Sequence, residues 1–246
     1  MKRLLNTLYI TSNNRYLSLD GENVVILEDQ KEIGRIPLHN LEGIVTFGYT
    51  GASPALMGAC AQRNIDLSFL SANGRFLARV SGEVRGNVTL RKQQYRMSED
   101  KGESIIIARN FMTGKVFNAR WVLERAARDY PMRLDSEKLK AKSAILVKSL
   151  LDIRKCDNAS TLLGLEGEAA SVYFSVWDDL ILQQKKDFFF RGRNKRPPLD
   201  KVNAMLSFAY TLLAGMCGSA LEGVGLDPYV GFYHTDGRAE CPLHLI

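Results

Sequence analysis

The sequence is organised around residues 162–174, LLGLEGEAASVYF, which place two carboxylates in an apolar, helix-like stretch. At about 100° per residue, Glu166 shares one helical face with Ala169 and Tyr173, whereas Glu168 points about 200° away from Glu166. A carboxylate in an alanine-lined groove is costly unless a cation or a hydrogen-bond donor meets it. Glu166 is therefore either a ligand-binding acid or an N-terminal acid favoured by the helix dipole, and these residues alone favour the second interpretation.

Upstream of this stretch, the first third of the sequence alternates between apolar and polar residues in short segments, a pattern typical of β-strands. Asp20-Gly21 supplies hairpin turn chemistry between two such segments. Ser53-Pro54 places a hydroxyl cap and a first-turn proline before one intervening helix. The pattern predicts a β-sandwich-like domain over residues 1–86.

From about residue 103 onward, apolar residues recur every three to four positions, which is typical of packed helices. We predict four helices in this part: residues 105–128, one from Ser136, one from the Glu166 stretch to about residue 184, and one capped by Asp200. The period changes over residues 87–102, which are predicted to be a linker. The chain is thus predicted to be an α+β protein, with an N-terminal β-sandwich-like domain followed by an all-α domain over residues 103–246.

Composition and charge narrow the class of protein. The 246 residues carry a formal net charge of +6 and a pI of about 9.1, which suits a polyanionic partner without requiring one. The four cysteines form no CxxC pair, so neither a disulfide framework nor a zinc site is expected. The N-terminus has a polar break where a signal peptide needs an apolar core, and no run approaches the length of a membrane span. We expect a cytoplasmic protein with reduced thiols and no membrane partner.

The segment KKDFFFRGRNKRPP, residues 185–198, carries six basic residues and three phenylalanines. Guanidinium groups on a glycine-containing loop can follow phosphates, and nearby aromatic rings can stack on an unpaired base. The alternative is a solvated loop whose phenylalanines enter the core. The density of positive charge favours nucleic-acid binding. In the helix that follows, three polar residues are either satisfied core groups or groups that steady a bound strand: Asn203, Ser207 and Tyr210.

A second group of basic residues lies along the last predicted strand and the segment after it: Arg75, Arg79, Arg85, Arg91, Lys92 and Arg96. Two interpretations explain these charges equally well. The residues either form a solvated strand edge that resists pairing with another chain, or they form a strip that contacts phosphates.

Five segments together resemble one known family. They are GRIPL at residues 34–38, GASPALM at 51–57, LGLEGEAA at 163–170, RPPLDKVNAMLS at 196–207 and GLDPYVGFYH at 225–234. The chain resembles the CRISPR-associated adaptation integrases, the family of the first Cas protein ("Cas one"), over residues 2–234. The two N-terminal segments are similar to the subtype I-C branch of that family.

The resemblance implies a metal-dependent DNA endonuclease and integrase that inserts foreign-DNA spacers into a CRISPR array. It implies a dimer formed through the β domain, a helical domain that holds metal and DNA, and the small adaptation protein "Cas two" as a partner. Double-stranded DNA would be the substrate. By the family pattern, Glu166 and His234 match two catalytic ligands of one Mg²⁺ or Mn²⁺ ion, a donor set that suits such ions better than thiols would.

The basic residues of the loop are predicted to bind the DNA of this reaction: Arg191, Arg193, Lys195 and Arg196. Neutral groups there would release fewer counterions from DNA, so these residues are expected to set the salt dependence of binding.

One departure from the family pattern concerns the third metal ligand. The family carries this acid in a helix about a dozen residues beyond the histidine, whereas Asp236 and Glu240 stand too close to His234 to match it. His244 is a poor substitute for an acid. The sequence is therefore expected to be truncated at its C-terminus, with an incomplete metal site. Two other functions stay open: a non-catalytic DNA-binding assembly subunit, and an RNA-directed hydrolase.

Overall fold

A computed structural model describes residues 6–83, 87–194 and 197–233 of the chain. The chain divides into two compact units, residues 1–88 with 211–227 and residues 89–210 with 228–246. Within the described residues, a β-rich N-terminal region is followed by helices, which confirms the predicted α+β class.

The first unit is built from two small sheets and one helix. Its strands are β1 Thr7–Ile10, β2 Arg15–Asp20, β3 Asn23–Glu28, β4 Lys31–Pro37, β5 Gly43–Phe47, β6 Asp66–Leu70 and β7 Phe76–Val80. One sheet has the order β1-β5-β6-β7, with β1 and β6 parallel to β5 and β7 antiparallel to β6. The other is antiparallel in the order β2-β3-β4.

The turn between β2 and β3 confirms the predicted hairpin. Asp20 pairs with Asn23, and Gly21 between them has φ +57°, a conformation that glycine adopts without strain. Helix α1, Pro54–Arg63, also begins as predicted, because the Ser53 hydroxyl accepts a hydrogen bond of 3.2 Å from the Leu56 N–H.

Both sheets and α1 contribute side chains to one core. Leu17 comes from the antiparallel sheet, Ile44 and Leu67 from the mixed sheet, and Leu56 from α1, and all four are fully buried. Burying a side chain of this kind stabilises the fold by roughly 1.5–3 kcal/mol. The shared core explains why two small sheets form a single unit.

The remaining helices are α2 Val88–Glu99, α3 Lys101–Asp129, α4 Ser136–Lys155, α5 Ala159–Phe174 and α6 Lys201–Gly223. Helices α3, α4 and α5 form the core of the second unit, with Met112, Leu146 and Leu162 fully buried in it. Helix α6 begins where predicted, since the Asp200 carboxylate accepts a 2.7 Å hydrogen bond from the Asn203 N–H.

Helix α3 begins four residues earlier than predicted, at Lys101, and three larger differences from the predictions also occur. Residues 88–99, placed in a linker, form α2, whose Leu90 to Gln94 segment is rich in residues with high helix propensity. The Glu166 helix ends at Phe174 and not near residue 184. The Ser175 hydroxyl donates to the Val172 carbonyl there, which competes with continued helix.

The third difference concerns residues 211–227, which group with the first unit and not with the helical domain predicted over 103–246. Polar contacts account for this grouping. The Arg79 guanidinium donates to the Glu222 carboxylate and to the Ser219 hydroxyl, and Asn87 Nδ2 donates to the Val224 carbonyl at 2.7 Å. The Arg79 guanidinium thus bonds to side chains of the first unit, to which Arg79 itself belongs.

Helix α6 alone among the described helices is long and apolar enough to cross a membrane by length and composition. This differs from the expectation that no run approaches that length. Few residues in the apolar part of this helix are buried. Its exposed apolar residues include Met205, Phe208, Leu213 and Met216. One helix of this kind is weak evidence for a membrane span.

Candidate metal and nucleic-acid site

Helix α5 fixes the position of Glu166. The helix is started by Asn158, whose side-chain oxygen accepts hydrogen bonds from the backbone N–H groups of Ser160 (2.8 Å) and Thr161 (3.2 Å). Glu166 lies two turns inside the helix, beyond the reach of the terminal dipole. The interpretation of Glu166 as an N-terminal acid is therefore wrong.

Two groups from distant parts of the sequence meet the Glu166 carboxylate. Lys115 Nζ of α3 lies 2.7 Å from Oε1, and the Tyr233 hydroxyl donates to Oε2 at 3.4 Å. The Glu166 side chain is only 18% exposed, so these contacts offset the loss of water around the charge. The expectation that a cation or a donor must meet this carboxylate is confirmed.

The Tyr233 hydroxyl remains a donor in this arrangement. Burial raises the pKa of Tyr233 well above its usual value, and the neighbouring Glu166 carboxylate raises it further. The phenol therefore stays protonated at physiological pH and can donate to Glu166. Glu168, predicted to point away from Glu166, is exposed.

Lys115 is the residue of this cluster that sequence reasoning missed. It lies in sequence between the buried residues Met112 and Val116 of α3, at the edge of the apolar stripe. Nothing in the neighbouring sequence distinguishes it from an ordinary surface lysine. Only the packing of α3 against α5 brings it to Glu166, which is 51 residues away in sequence.

Glu166 is a ligand of the type that Mg²⁺ and Mn²⁺ prefer, an anionic oxygen donor. The predicted second ligand, His234, lies outside the described residues, as do Asp236, Glu240 and His244. Among the residues that the structure describes, no three His, Cys, Asp or Glu side chains come together as a metal-binding group. The described part of the site thus fits a divalent ion in donor type and supplies one ligand.

The basic loop is fixed to the helical core by an aromatic cluster. Phe190 is buried and stacks on Phe174 of α5, with ring centroids 5.7 Å apart, and Trp177 lies 5.5 Å from Phe190. The Phe190 N–H also donates to the Asp178 carboxylate at 2.8 Å. Phe190 therefore anchors the loop, as the alternative interpretation of the phenylalanines stated.

Other residues of the loop face solvent. Arg191 is exposed, and its guanidinium carbon lies 5.1 Å from the centroid of the half-exposed Phe189 ring. Of the remaining predicted DNA-binding residues, Arg193 is partly buried, and Lys195 and Arg196 lie outside the described residues. Their assignment to DNA binding stays a prediction.

The polar residues at the start of α6 contact the loop. Arg193 Nη1 donates to Asn203 Oδ1 at 2.9 Å, Nη2 donates to the Ser207 hydroxyl at 3.5 Å, and the guanidinium carbon lies 5.6 Å from the Tyr210 ring centroid. Asn203 has no exposed surface. These contacts confirm Asn203 as a satisfied core group, whereas Ser207 and Tyr210 are half-buried and contact Arg193 from the side of α6.

The family model described as "CRISPR associated protein Cas1" matches residues 8–245, nearly the whole chain. The chain belongs to the Cas1 family. This confirms the resemblance found in the sequence, while its subtype I-C detail stays a prediction.

Curated members of the Cas1 family align with all of this chain. "CRISPR-associated endonuclease Cas1 1" of Chlorobaculum tepidum is 46% identical over 248 residues, and "CRISPR-associated endonuclease Cas1 2" of Rhodospirillum rubrum is 48% identical over 257 residues. In each case the match covers 72% of the relative's length.

Solved structures support the same fold. A Cas1 protein from Thermotoga maritima superposes with a TM-score of 0.71 at 21% identity, over 98% of this chain and 73% of the other. A casposase bound to an integration product superposes with a TM-score of 0.74 at 24% identity, over 97% of this chain and 67% of the other.

Proposed function

We propose that this Cas1-family chain is a metal-dependent DNA endonuclease and integrase that inserts foreign-DNA spacers into a CRISPR array. Relatives at 46% and 48% identity carry the name CRISPR-associated endonuclease, which supports phosphodiester cleavage. The observation that carries the proposal is the Glu166 carboxylate, largely withdrawn from water and held in one position by groups from two other segments.

We infer that Glu166, together with His234, binds one Mg²⁺ or Mn²⁺ ion. Such an ion, when bound, polarises a phosphate and lowers the pKa of an attacking water or hydroxyl. The protein's own residues prepare the site for it. Lys115 and Tyr233 fix the direction of the Glu166 carboxylate, and the positive charge of Lys115 lies where a polyanionic strand would be attracted.

Partners follow from the same proposal. A solved Cas6-RT-Cas1–Cas2 complex contains a chain on which this one superposes with a TM-score of 0.72, which supports Cas2 as a partner. We propose a homodimer formed through the β domain, double-stranded DNA as the substrate, no membrane partner and a cytoplasmic location. The net charge of +6 favours encounter with DNA.

The alternative function is a non-catalytic, DNA-binding assembly subunit. One observation favours it: Lys115 already forms an ion pair with Glu166 at 2.7 Å, so the carboxylate has a cation partner within the protein. In this alternative the basic loop would bind DNA in the same way, but no bond would be cut or joined.

A strand-transfer assay with Mn²⁺ separates these functions. We expect the wild type to join a DNA end to a repeat-containing duplex, and Glu166→Ala and His234→Ala each to lose this activity. Strand transfer that neither substitution lowers would contradict the metal assignment. DNA binding without cleavage or joining would support the assembly subunit, and a parallel RNA substrate tests the RNA-directed hydrolase.

A further inference from the structure

We propose that Arg193 is a positioning residue, which holds the basic loop in shape so that Arg191 can contact a DNA phosphate. On this assignment Arg193 itself does not touch DNA. This inference rests on the proposed function, because it assumes that the basic loop binds DNA. The different roles of Arg191 and Arg193 are inferred from the contacts that Arg193 and Asn203 make.

The Arg193 guanidinium is directed into the protein. Nη1 donates to two acceptors, Asn203 Oδ1 at 2.9 Å and the Asn194 carbonyl at 2.6 Å. Nη2 donates to the Ser207 hydroxyl at 3.5 Å, and the guanidinium plane lies near the Tyr210 ring. These bonds use both N–H donors of Nη1, so a bidentate phosphate contact through Nη1 would have to break them.

Asn203 connects this guanidinium to the loop backbone. Its Oδ1 accepts from Arg193 and from the Asn194 N–H at 3.0 Å, and its Nδ2 donates to the Gly192 carbonyl at 2.8 Å and to Asp200 Oδ2 at 2.7 Å. These four bonds use the full capacity of a buried amide. Residues 192–194 are therefore fixed to the start of α6 through one side chain.

The loop conformation depends on this connection. Gly192 has φ +137°, a backbone conformation that side chains rarely adopt. Its carbonyl is held by Asn203, and the Asn194 amide adds a bond of 3.3 Å to the same carbonyl. Arg191, one residue earlier, is the exposed cation that this backbone presents to solvent.

Lysine substitutions distinguish the two roles. Lysine keeps the positive charge needed for a phosphate but lacks the planar fork that Arg193 uses. We would measure duplex-DNA affinity at several salt concentrations for the full chain and for R191K, R191Q, R193K and R193Q. We expect R191K to bind like the wild type and R191Q to bind less tightly, with its salt slope reduced by about 0.9.

At position 193 we expect both substitutions to lower affinity, by about tenfold each, because lysine cannot rebuild the connection to Asn203. R193Q should add little to the loss in an R191Q background, since Arg193 acts through Arg191. Limited proteolysis within residues 185–198, without DNA, should be faster in R193K and R193Q than in the wild type, and unchanged in R191Q.

Wild-type affinity in R193K would overturn the inference, as would additive losses in the double variant. Unchanged proteolysis in R193K would overturn it too, and this readout needs no DNA. A wild-type chain that binds no DNA would instead contradict the proposed function, so the two failures are distinguishable.

Discussion

The partly buried charge of Glu166 is stabilised by two neighbouring side chains. Its two oxygens have separate partners, Lys115 on one and Tyr233 on the other, so neither oxygen is left without a charged or polar neighbour. Removing one partner of such a pair costs more than the pair contributes, because the remaining charge stays withdrawn from water. Single substitutions at this site are therefore expected to be costly.

Lys115→Met should lower the free energy of unfolding by about 1–3 kcal/mol, because it leaves Glu166 Oε1 without its cation. Urea denaturation measures this change, and the Lys115→Met/Glu166→Gln double variant should recover part of it. Lys140→Met is the matched control, since Lys140 pairs with Glu137 in an exposed position. Equal stability of Lys115→Met and the control would contradict the role given to the ion pair.

At the scale of elements, the start of α5 determines where Glu166 lies along the helix. Asn158→Ala should cost about 1 kcal/mol, since it removes the acceptor for two N–H groups of the first turn. Asn158→Ser should restore most of this loss. The measurement is the urea midpoint of each variant, and no difference between the alanine and serine variants would contradict the capping role.

The stability that Asp178 contributes, by accepting a hydrogen bond from the Phe190 N–H at the base of the basic loop, should depend on pH. The Phe190 N–H, and then Lys185, hold the pKa of Asp178 below its ordinary value of 3.8. A lowered pKa in the folded state stabilises the protein above the unfolded value, and this contribution is lost as pH falls through the folded value. The wild type should be more stable than Asp178→Asn at pH 7, and the difference should shrink progressively as pH falls below 3.8, through the lowered pKa of the folded state. Urea denaturation at pH 7 and at a series of pH values below 3.8 checks this, and a difference that stays constant over the series would contradict it.

The helix starts at Ser53 and Asp200 and the end of α3 could be predicted from the sequence, whereas the start of α2 and the end of α5 could not. Ser53 and Asp200 act as caps through contacts within three residues, so their local pattern carries the information. The end of α5 could not be predicted in this way, because apolar residues continue to Val176 and beyond. The Asp178 carboxylate accepts a hydrogen bond from the backbone of Phe190, which is 12 residues away. The sequence around Asp178 alone does not predict this bond.

At the scale of the whole molecule, the candidate site joins segments that are far apart in sequence. Periodicity predicted the helical face of Glu166, and the family resemblance led to the proposal that Glu166 is a ligand. Neither gave Lys115, because the pairing of α3 with α5 is a tertiary contact. The class of fold was predictable because the first third of the chain has mainly the period of strands and the rest has the period of helices.

DNA binding by the whole chain should weaken with salt mainly through the basic loop. Neutralising Arg191, Lys195 and Arg196 together should lower the slope of log affinity against log salt by about 2.7, if each contacts one phosphate. Fluorescence anisotropy of a labelled duplex measures the slope. The same number of substitutions on α4, at Lys138, Lys140 and Lys148, serves as the control. An equal change in slope for both triple variants would contradict loop-directed binding.

The central claim is that Glu166 binds the divalent ion of the reaction, and direct Mn²⁺ binding tests it most directly. Electron paramagnetic resonance of free Mn²⁺, titrated with the protein, gives affinity without an activity assay. We predict one bound Mn²⁺ per chain in the wild type and at least about tenfold weaker binding in Glu166→Gln, which loses one charged ligand. Equal Mn²⁺ affinity in the wild type and in Glu166→Gln would contradict the claim.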